Sequence, residues 1–565
     1  MPENKLQVLQ LRPGVNREGT SYAGEGGWYA CDKVRFRSGL PEKLGGWEQY
    51  NAGNYDGVCR HFVEWVSLSD YYLLGVGTNL KYYILTGGVF YNITPIRATF
   101  TLGANPIYTM KSTLTAGIND STGVLPIASL TANNFDYSVP FVVQIGSELI
   151  YVPAVDAGSN TLGTTTYPCT RGYANTTAAA HSSSDVVSSS MIVVDSPNNM
   201  ALPGDYVTLS GATGPIGGIA ASAINTEMVI VSVTGDYIIV DTGTQATSAA
   251  NGGGAAVVAA YQIHTGSAFT QFLHGWGAGP WPGNPAGNFN HPWNYPYTGG
   301  FESVLRLWSA SNYGQDLFFN LRNGPIFYWD AATNLSQYGS VTGPGVSITD
   351  QSIASIPATQ IVNGNYYMIA SVGTTSFTSI GAASNTIGVG FIADLTSGAA
   401  TGTGTVWDPA TPSVAAYVLT TDERHVVALG CNDAVSALSD ITTAGSFVSG
   451  TSYIINFVGT TISVDITLVS TNAMTTATGV TYWMGQDKFY AYSGRVDTLP
   501  CALRQYVFDD LNTEQWDQVY AGTNEKYNEI WWFYPSANSL INDRYVVYNY
   551  LEKLWYYGQL SRTAW

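Results

Sequence analysis

The chain has 565 residues, of which 13% are aromatic and only 11% charged, and its formal net charge is −18. That length exceeds what one simple core serves, so several domains or a large repeat architecture are expected, and the aromatic content excludes an intrinsically disordered chain. Few charges, many aromatics and 61 glycines fit an all-β protein with tight turns, while the acidity excludes docking on nucleic acid through a basic patch.

Residues 1–100 read as an N-terminal segment and a first blade. Val34 and Phe36 alternate with Lys33, Arg35 and Arg37, the pattern of a half-buried strand before a Gly/Pro turn. Arg35 and Arg37 are candidate contacts to DNA or a partner, or simply the polar face of that strand. Four strands follow, at Val58–Val66, Tyr71–Gly77, Lys81–Leu85 and Val89–Ile93, separated by Ser-Asp, Thr-Asn and Gly-Gly turns. Four short strands in this span make one propeller blade.

Residues 101–265 change character. Thr, Ala, Gly and Ser dominate, and ten acids face only Lys111 and Arg171. Strands are predicted at Phe141–Ile145, Leu149–Val152, Tyr206–Leu209, Met228–Val233 and Tyr237–Val240, as one or two inserted β modules. The framework resumes over 266–345, with strands at Phe301–Trp308, Asp316–Leu321 and Pro325–Trp329. Within it Trp276, Trp281 and Trp293 sit among prolines and glycines. Exposed Trp in such a loop stacks on sugars or plugs a channel; a loop packed on a neighbour is the competing reading.

Residues 346–410 hold the first copy of a repeat. Gly364, Tyr367, Ile369, Val372, Gly373, Thr374 and Thr375 recur at one offset as Gly450, Tyr453, Ile455, Val458, Gly459, Thr460 and Thr461. Framework strands occupy 411–440, the second, degraded copy 441–478. Two copies make a duplicated surface module, not a solenoid. Residues 341–480 carry eight acids against Arg424 alone, so the acidity maps to the insertions. It either lines a channel through which DNA slides or keeps a Thr/Gly-rich surface soluble.

Residues 479–565 are the densest aromatic stretch, with 21 aromatics among the 84 residues from Tyr482. Strands are predicted at Tyr482–Tyr492, Glu529–Pro535, Arg544–Tyr550 and Lys553–Gly558, with one short helix around Phe508–Trp516.

Catalytic signatures are missing: the sequence has no GxxxxGK[ST], GxSxG, HExxH or EF-hand spacing. Asp422/Glu423 and Asp509/Asp510 are adjacent pairs, and neighbours on a strand point to opposite faces, so neither is built to straddle a glycosidic bond. His61, His181, His264, His274, His291 and His425 share no ligand spacing; His61 and His425 fall in predicted strands as packed or edge residues. Cys31, Cys59, Cys169, Cys431 and Cys501 read as free thiols of a protein made in a reducing cytoplasm. The N-terminus has no apolar signal region and no run reaches transmembrane length. No catalytic, cofactor-binding or metal residue is assigned, and no cofactor is expected.

The framework nonetheless resembles a known family. Asp32–Trp47, Leu305-Arg306-Leu307-Trp308, Asp422–Gly430 and nearly all of Tyr482–Trp565 are similar to the nozzle, or tail tubular, proteins of short-tailed bacteriophages. Gln144–Tyr151 with Arg171-Gly172 and Ala178–His181, and Pro203–Gly211, look like accessory β modules of phage virion proteins. The resemblance implies a β-propeller framework, incomplete or closed by N-terminal strands, carrying inserted β-sandwich or barrel-like modules. It implies a non-enzymatic virion protein assembled in the host cytoplasm as a homohexameric ring beside adaptor and portal-proximal proteins. Such a ring retains packaged DNA and conducts it at ejection, without sequence-specific binding, and fibres or spikes dock nearby. The alternatives are a tail-associated receptor- or glycan-binding protein and, more weakly, a propeller carbohydrate hydrolase. In this family the chain continues beyond an Arg-Thr-Ala-Trp like Arg562–Trp565.

Overall fold

The computed structural model describes residues 11–20, 22, 24–49, 53–266, 269–270, 305–336, 339–347, 356–364, 366–382, 384–386, 389–396, 398–407, 415–421, 425–429 and 467–565. The fold is all-β, assembled from small antiparallel sheets with a few short helical turns. Its contacts divide the chain into a framework unit, 1–93 with 265–565, and a second unit, 94–264.

Among the described residues, four four-stranded meanders build much of the framework. The first runs Cys59–Val66, Tyr72–Thr78, Tyr82–Thr86 and Val89–Asn92. The second is Trp308–Tyr313, Asp316–Leu321, Ile326–Trp329 and Val346–Ser347. The third is Met474–Ala477, Val480–Met484, Phe489–Tyr492 and Val496–Leu499, and the fourth Tyr520–Asn524, Glu529–Tyr534, Arg544–Asn549 and Leu554–Gln559. A two-stranded piece, Tyr417–Thr420 with Val426–Leu429, lies between the second and third.

First strands meet first strands. Cys59–Val66 lies against Trp308–Tyr313, that strand against Tyr417–Thr420, and Met474–Ala477 against Tyr520–Asn524. Side chains join them: the amide of Val418 donates to Ser309 Oγ at 2.9 Å and that of Thr420 to Ser311 Oγ at 3.1 Å. Gly77 allows one such approach, since a Cβ there would lie 2.6 Å from the Trp308 ring.

The fourth meander explains the aromatic density. All six residues of Glu529–Tyr534 are buried, so both faces are covered and alternation disappears. Trp531, Trp532, Phe533, Tyr545 and Tyr556 form its core with Phe36 from the N-terminal hairpin Val34–Arg37/Leu40–Lys43.

Several predicted bounds shift. Tyr482–Tyr492 is two strands, because the amide of Gly485 bonds the carbonyl of Lys488 at 2.8 Å and turns the chain. Of the strand read at Phe301–Trp308, 301–304 lie outside the described residues, and the described strand runs Trp308–Tyr313. The helix read at Phe508–Trp516 lies earlier, at Arg504–Asp509, with a separate 3₁₀ turn at Trp516–Gln518. His425 precedes its strand and is exposed. The first repeat copy forms a four-stranded sheet within 356–407; the second lies outside the described residues.

The second unit combines a ten-stranded sheet with a small three-stranded one, Val155–Asp156, Thr161–Leu162 and Leu125–Pro126, around two aliphatic cores. The main path of the larger sheet runs Glu148–Val152, Phe141–Ile145, Val186–Asp195, Tyr237–Asp241, Glu227–Thr234, Tyr206–Ser210, Val258–Gln262 and Ile96–Thr101, with Ile107–Thr113 and Ala250–Gly252 off it. The ten-residue strand Val186–Asp195 serves both cores. Met191 and Val193 enter one with Phe141 and Ile150, while Ile192 and Val194 enter the other with Ile107 and Val207. Successive strand residues face opposite sides, so one strand fuses two modules. The path does not return on itself, so this is an open sandwich rather than a closed barrel.

Candidate functional site

A buried charge is the first place to look for chemistry, because burial of an ionised group needs compensation. In the framework, Glu529 is fully buried. It receives Arg35 Nε at 2.8 Å and Nη2 at 3.0 Å, Trp531 Nε1 at 2.9 Å, and the hydroxyl of Tyr556. Burial, with the Glu529 carboxylate second, pushes the Tyr556 phenol far up. The Arg35 guanidinium also stacks 3.5 Å from the Tyr527 ring centroid. Arg35 is therefore committed inside the protein, which corrects its reading as a DNA or partner contact; Arg37 is exposed.

The second unit repeats the device. Glu148 is 1% exposed and accepts Arg171 Nε and Nη2, each at 2.8 Å, His181 Nε2 at 2.8 Å, and the amides of Gly172 and Ala179 at 3.0 and 3.1 Å. Burial pushes the carboxyl up, but these donors outweigh it and hold the pKa at about 2. Both glutamates have their lone pairs engaged, so each ties loops together and neither is poised to move a proton.

A third polar system leads to open space. Arg60 Nη1 donates to Gln518 Oε1 at 2.8 Å; Gln518 Nε2 donates to Gln515 Oε1 at 2.8 Å and to the Leu540 carbonyl at 2.9 Å. Gln515 Nε2 donates to the Thr270 carbonyl at 2.6 Å. Asn542 Nδ2 closes the ladder on the Gln518 carbonyl at 2.8 Å, while its Oδ1, also buried, accepts no hydrogen bond. Burial lowers the Arg60 pKa to about 10.

Asn542 lines a cavity of about 500 Å³ with Trp47, Tyr55, Cys59, Phe62, Arg562 and Trp565, a volume typical of small-ligand sites. Trp47 meets Trp565 edge to face at 5.9 Å, and Arg562 lies 4.7 Å above the Trp47 ring. Arg562 makes no ion pair among the described residues. Burial pushes the Cys59 thiol up to about 12, which makes this sulfur a poor nucleophile.

The residues singled out from sequence lie elsewhere. Trp276, Trp281, Trp293, His274, His291, Cys431 and the Asp422/Glu423 pair are outside the described residues. Asp509 ends a helix and Asp510 pairs with Arg544 at 3.5 Å. His61 is packed in its strand, and burial lowers its pKa to about 4. His264 pairs with Asp205 at 2.9 Å. Among the described residues no group of three metal-ligating side chains occurs, and no helix is long and apolar enough to cross a membrane. The cavity escaped sequence reading because its walls come from both ends of the chain; the one local signal was the aromatic run that ends at Trp565.

No family model matches the chain, and no curated protein matches it by sequence. Among solved structures, a chain described as phage phi92 endosialidase aligns at 10% identity with a TM-score of 0.15, covering 94% of this chain. This chain spans 60% of that one. A TM-score at that level does not establish a shared fold.

Proposed function

We propose that this chain is a non-enzymatic structural subunit of a short-tailed phage tail, of the nozzle type, assembling as a six-fold ring that retains and conducts DNA. One observation carries the reading. The stretches that bear the sequence resemblance, Asp32–Trp47 and Tyr482–Trp565, fold into one body although they lie at opposite ends of the chain. Arg35 is clamped by Glu529, the Gln559 amide donates to Asp32 at 2.8 Å, the Ser38 amide donates to Glu552 at 2.7 Å, and Phe36 packs on Tyr556. Residues that pack together in this way constrain each other as a unit. Electron microscopy of the purified protein with its neighbouring tail proteins tests it: a six-fold ring supports the reading, and a monomer or trimer beside an intact tail rejects it.

The cavity favours a second reading, a tail-associated glycan-binding protein. Aromatic walls with a few convergent polar groups are the chemistry of sugar recognition. Retention of the protein on immobilised host polysaccharide supports that reading, and its absence removes it.

A further inference from the structure

We propose that the groove walled by Trp47, Tyr55, Phe62 and Trp565 receives the hairpin turn 67–71 of a second copy of this chain. The inference rests on the ring reading and assigns the contact between its subunits. Ser67, Ser69 and Asp70 are ordinary turn residues, but between them Leu68 is 84% exposed. Val66 and Tyr72 pair across the two strands that the turn joins, and Tyr72 is 82% exposed. Leu68 and this pair make one apolar tip, and contiguous exposed apolar surface marks interaction sites where scattered residues do not. The tip is also held in shape. The amide of Ser67 donates to the Tyr71 carbonyl at 3.0 Å and that of Asp70 to the Ser67 carbonyl at 3.1 Å. The amide of Tyr71 donates to Ser67 Oγ at 3.1 Å and that of Leu68 to Gln315 Oε1 at 3.4 Å. A surface already fixed in one shape loses little entropy on docking.

Charge matches the tip to the groove. Glu64 and Asp70 are the charged residues of 62–80; both are exposed and neither makes an ion pair among the described residues. Arg562 is the one charged residue on the described groove wall, and it too makes no ion pair there. The rest of the wall is largely apolar, with Trp47 and Ile541 exposed. An apolar knob carrying unpaired acids and an apolar hole carrying an unpaired arginine are complementary. The knob belongs to another copy. Phe62 stands on the groove wall, and the extended strand carries the chain about 13 Å from there to Val66 before the turn begins, so a chain's tip lies apart from its own groove. The two patches differ, so the contact is head-to-tail, the kind that repeats around a ring when its rotation closes.

Sedimentation velocity and electron microscopy of the full chain test the contact. Leu68→Asp and Arg562→Glu should each raise the concentration at which rings dissociate ~10–100-fold. Leu68 and Asp70 are exposed, so folding should survive their replacement, and an unchanged tryptophan-monitored unfolding midpoint checks it. Mixing the two variants should give pairs that neither forms alone, because one keeps its groove and the other its tip. Asp70→Arg combined with Arg562→Glu should recover assembly that either reversal alone weakens. Rings that form from every variant at the concentration of the unsubstituted chain overturn this contact and leave the ring reading standing. An unsubstituted chain that stays monomeric beside its neighbouring tail proteins rejects both. Host-polysaccharide retention lost in Arg562→Glu while its ring persists would put a glycan, and not a second copy, in the groove.

Discussion

The framework and the second unit solve the same problem with different materials. The framework core is aromatic, with Trp531, Trp532, Phe533, Tyr545 and Tyr556 around a clamped Glu529, whereas the second unit packs Ile, Val and Leu around a strand shared by two cores. Each buries one glutamate under an arginine. Arg35 and Glu529 are 494 residues apart, while Arg171 and Glu148 are 23 apart. The framework clasp therefore joins the two ends of the chain, and the other only fastens neighbouring loops. Similar local geometry carries different consequences because a long closure holds far more structure than a short one.

Removing the framework glutamate should do the most damage. Glu529→Ala leaves Arg35 charged and buried and strips the acceptors of Trp531 and Tyr556, so a loss of about 3–5 kcal/mol is expected. All 15 tryptophans lie outside residues 94–264, so denaturant unfolding followed by tryptophan emission reads the framework selectively. The midpoint should fall steeply; an unchanged midpoint would show that the clasp holds nothing.

The effect of replacing the second unit's glutamate should be smaller and local. Glu148→Gln keeps the size of the side chain but removes the charge facing Arg171 and turns one of two accepting oxygens into a donor, at about 1–3 kcal/mol. Hydrogen exchange over 94–264 should accelerate while the tryptophan transition stays put. The Glu148 carboxyl ordinarily titrates near 4.5 and is held at about 2 in the fold. A depressed folded pKa contributes stability above pH 4.5 that is lost as the pH falls from there through 2. The unsubstituted protein should lose protection in 94–264 across that window, and the Gln variant should not show that component.

This contrast also marks what the sequence made legible. Asp316–Leu321 and Phe141–Ile145 were read with their observed bounds, because alternation and flanking turn residues are local signals. Over Tyr482–Tyr492 the aromatic density masks the Gly485-Gln486-Asp487-Lys488 turn, which splits the stretch into two strands. Gln144–Tyr151, Arg171 and His181 belong to one sequence pattern, yet nothing local marks Glu148 as the hub, since its side-chain donors arrive from 23 to 33 residues away. Arg35 looked like the polar face of a strand because the carboxylate that buries it is nearly the whole chain distant. Trp47, Asn542 and Arg562 meet only through tertiary closure, so periodicity could not group them.

A packing test ranks next. Gly77→Ala places a methyl 2.6 Å from the Trp308 ring, at the approach of the first and second meanders. Overpacking of this kind costs about 1–3 kcal/mol. The tryptophan-monitored midpoint should drop less than for Glu529→Ala, with the near-ultraviolet circular dichroism of the Trp308 environment altered. Full retention of both would show that the approach at Gly77 yields to a methyl group without cost.

The smallest effect isolates burial from charge pairing. Arg495 Nη2 lies 2.9 Å from Asp497 Oδ1, as short as the contacts that Arg35 makes, but the side chains are 81% and 48% exposed. Water already solvates both ions, and holding two side chains in place costs entropy, so such pairs contribute about 0–1 kcal/mol. Arg495→Ala should leave the denaturant midpoint within error and show no dependence on added salt, whereas Arg35→Ala, which abandons a buried carboxylate, should approach the loss seen for Glu529→Ala. A comparable drop for both arginines would show that contact distance, and not the removal of water from around Glu529, sets the strength of these pairs.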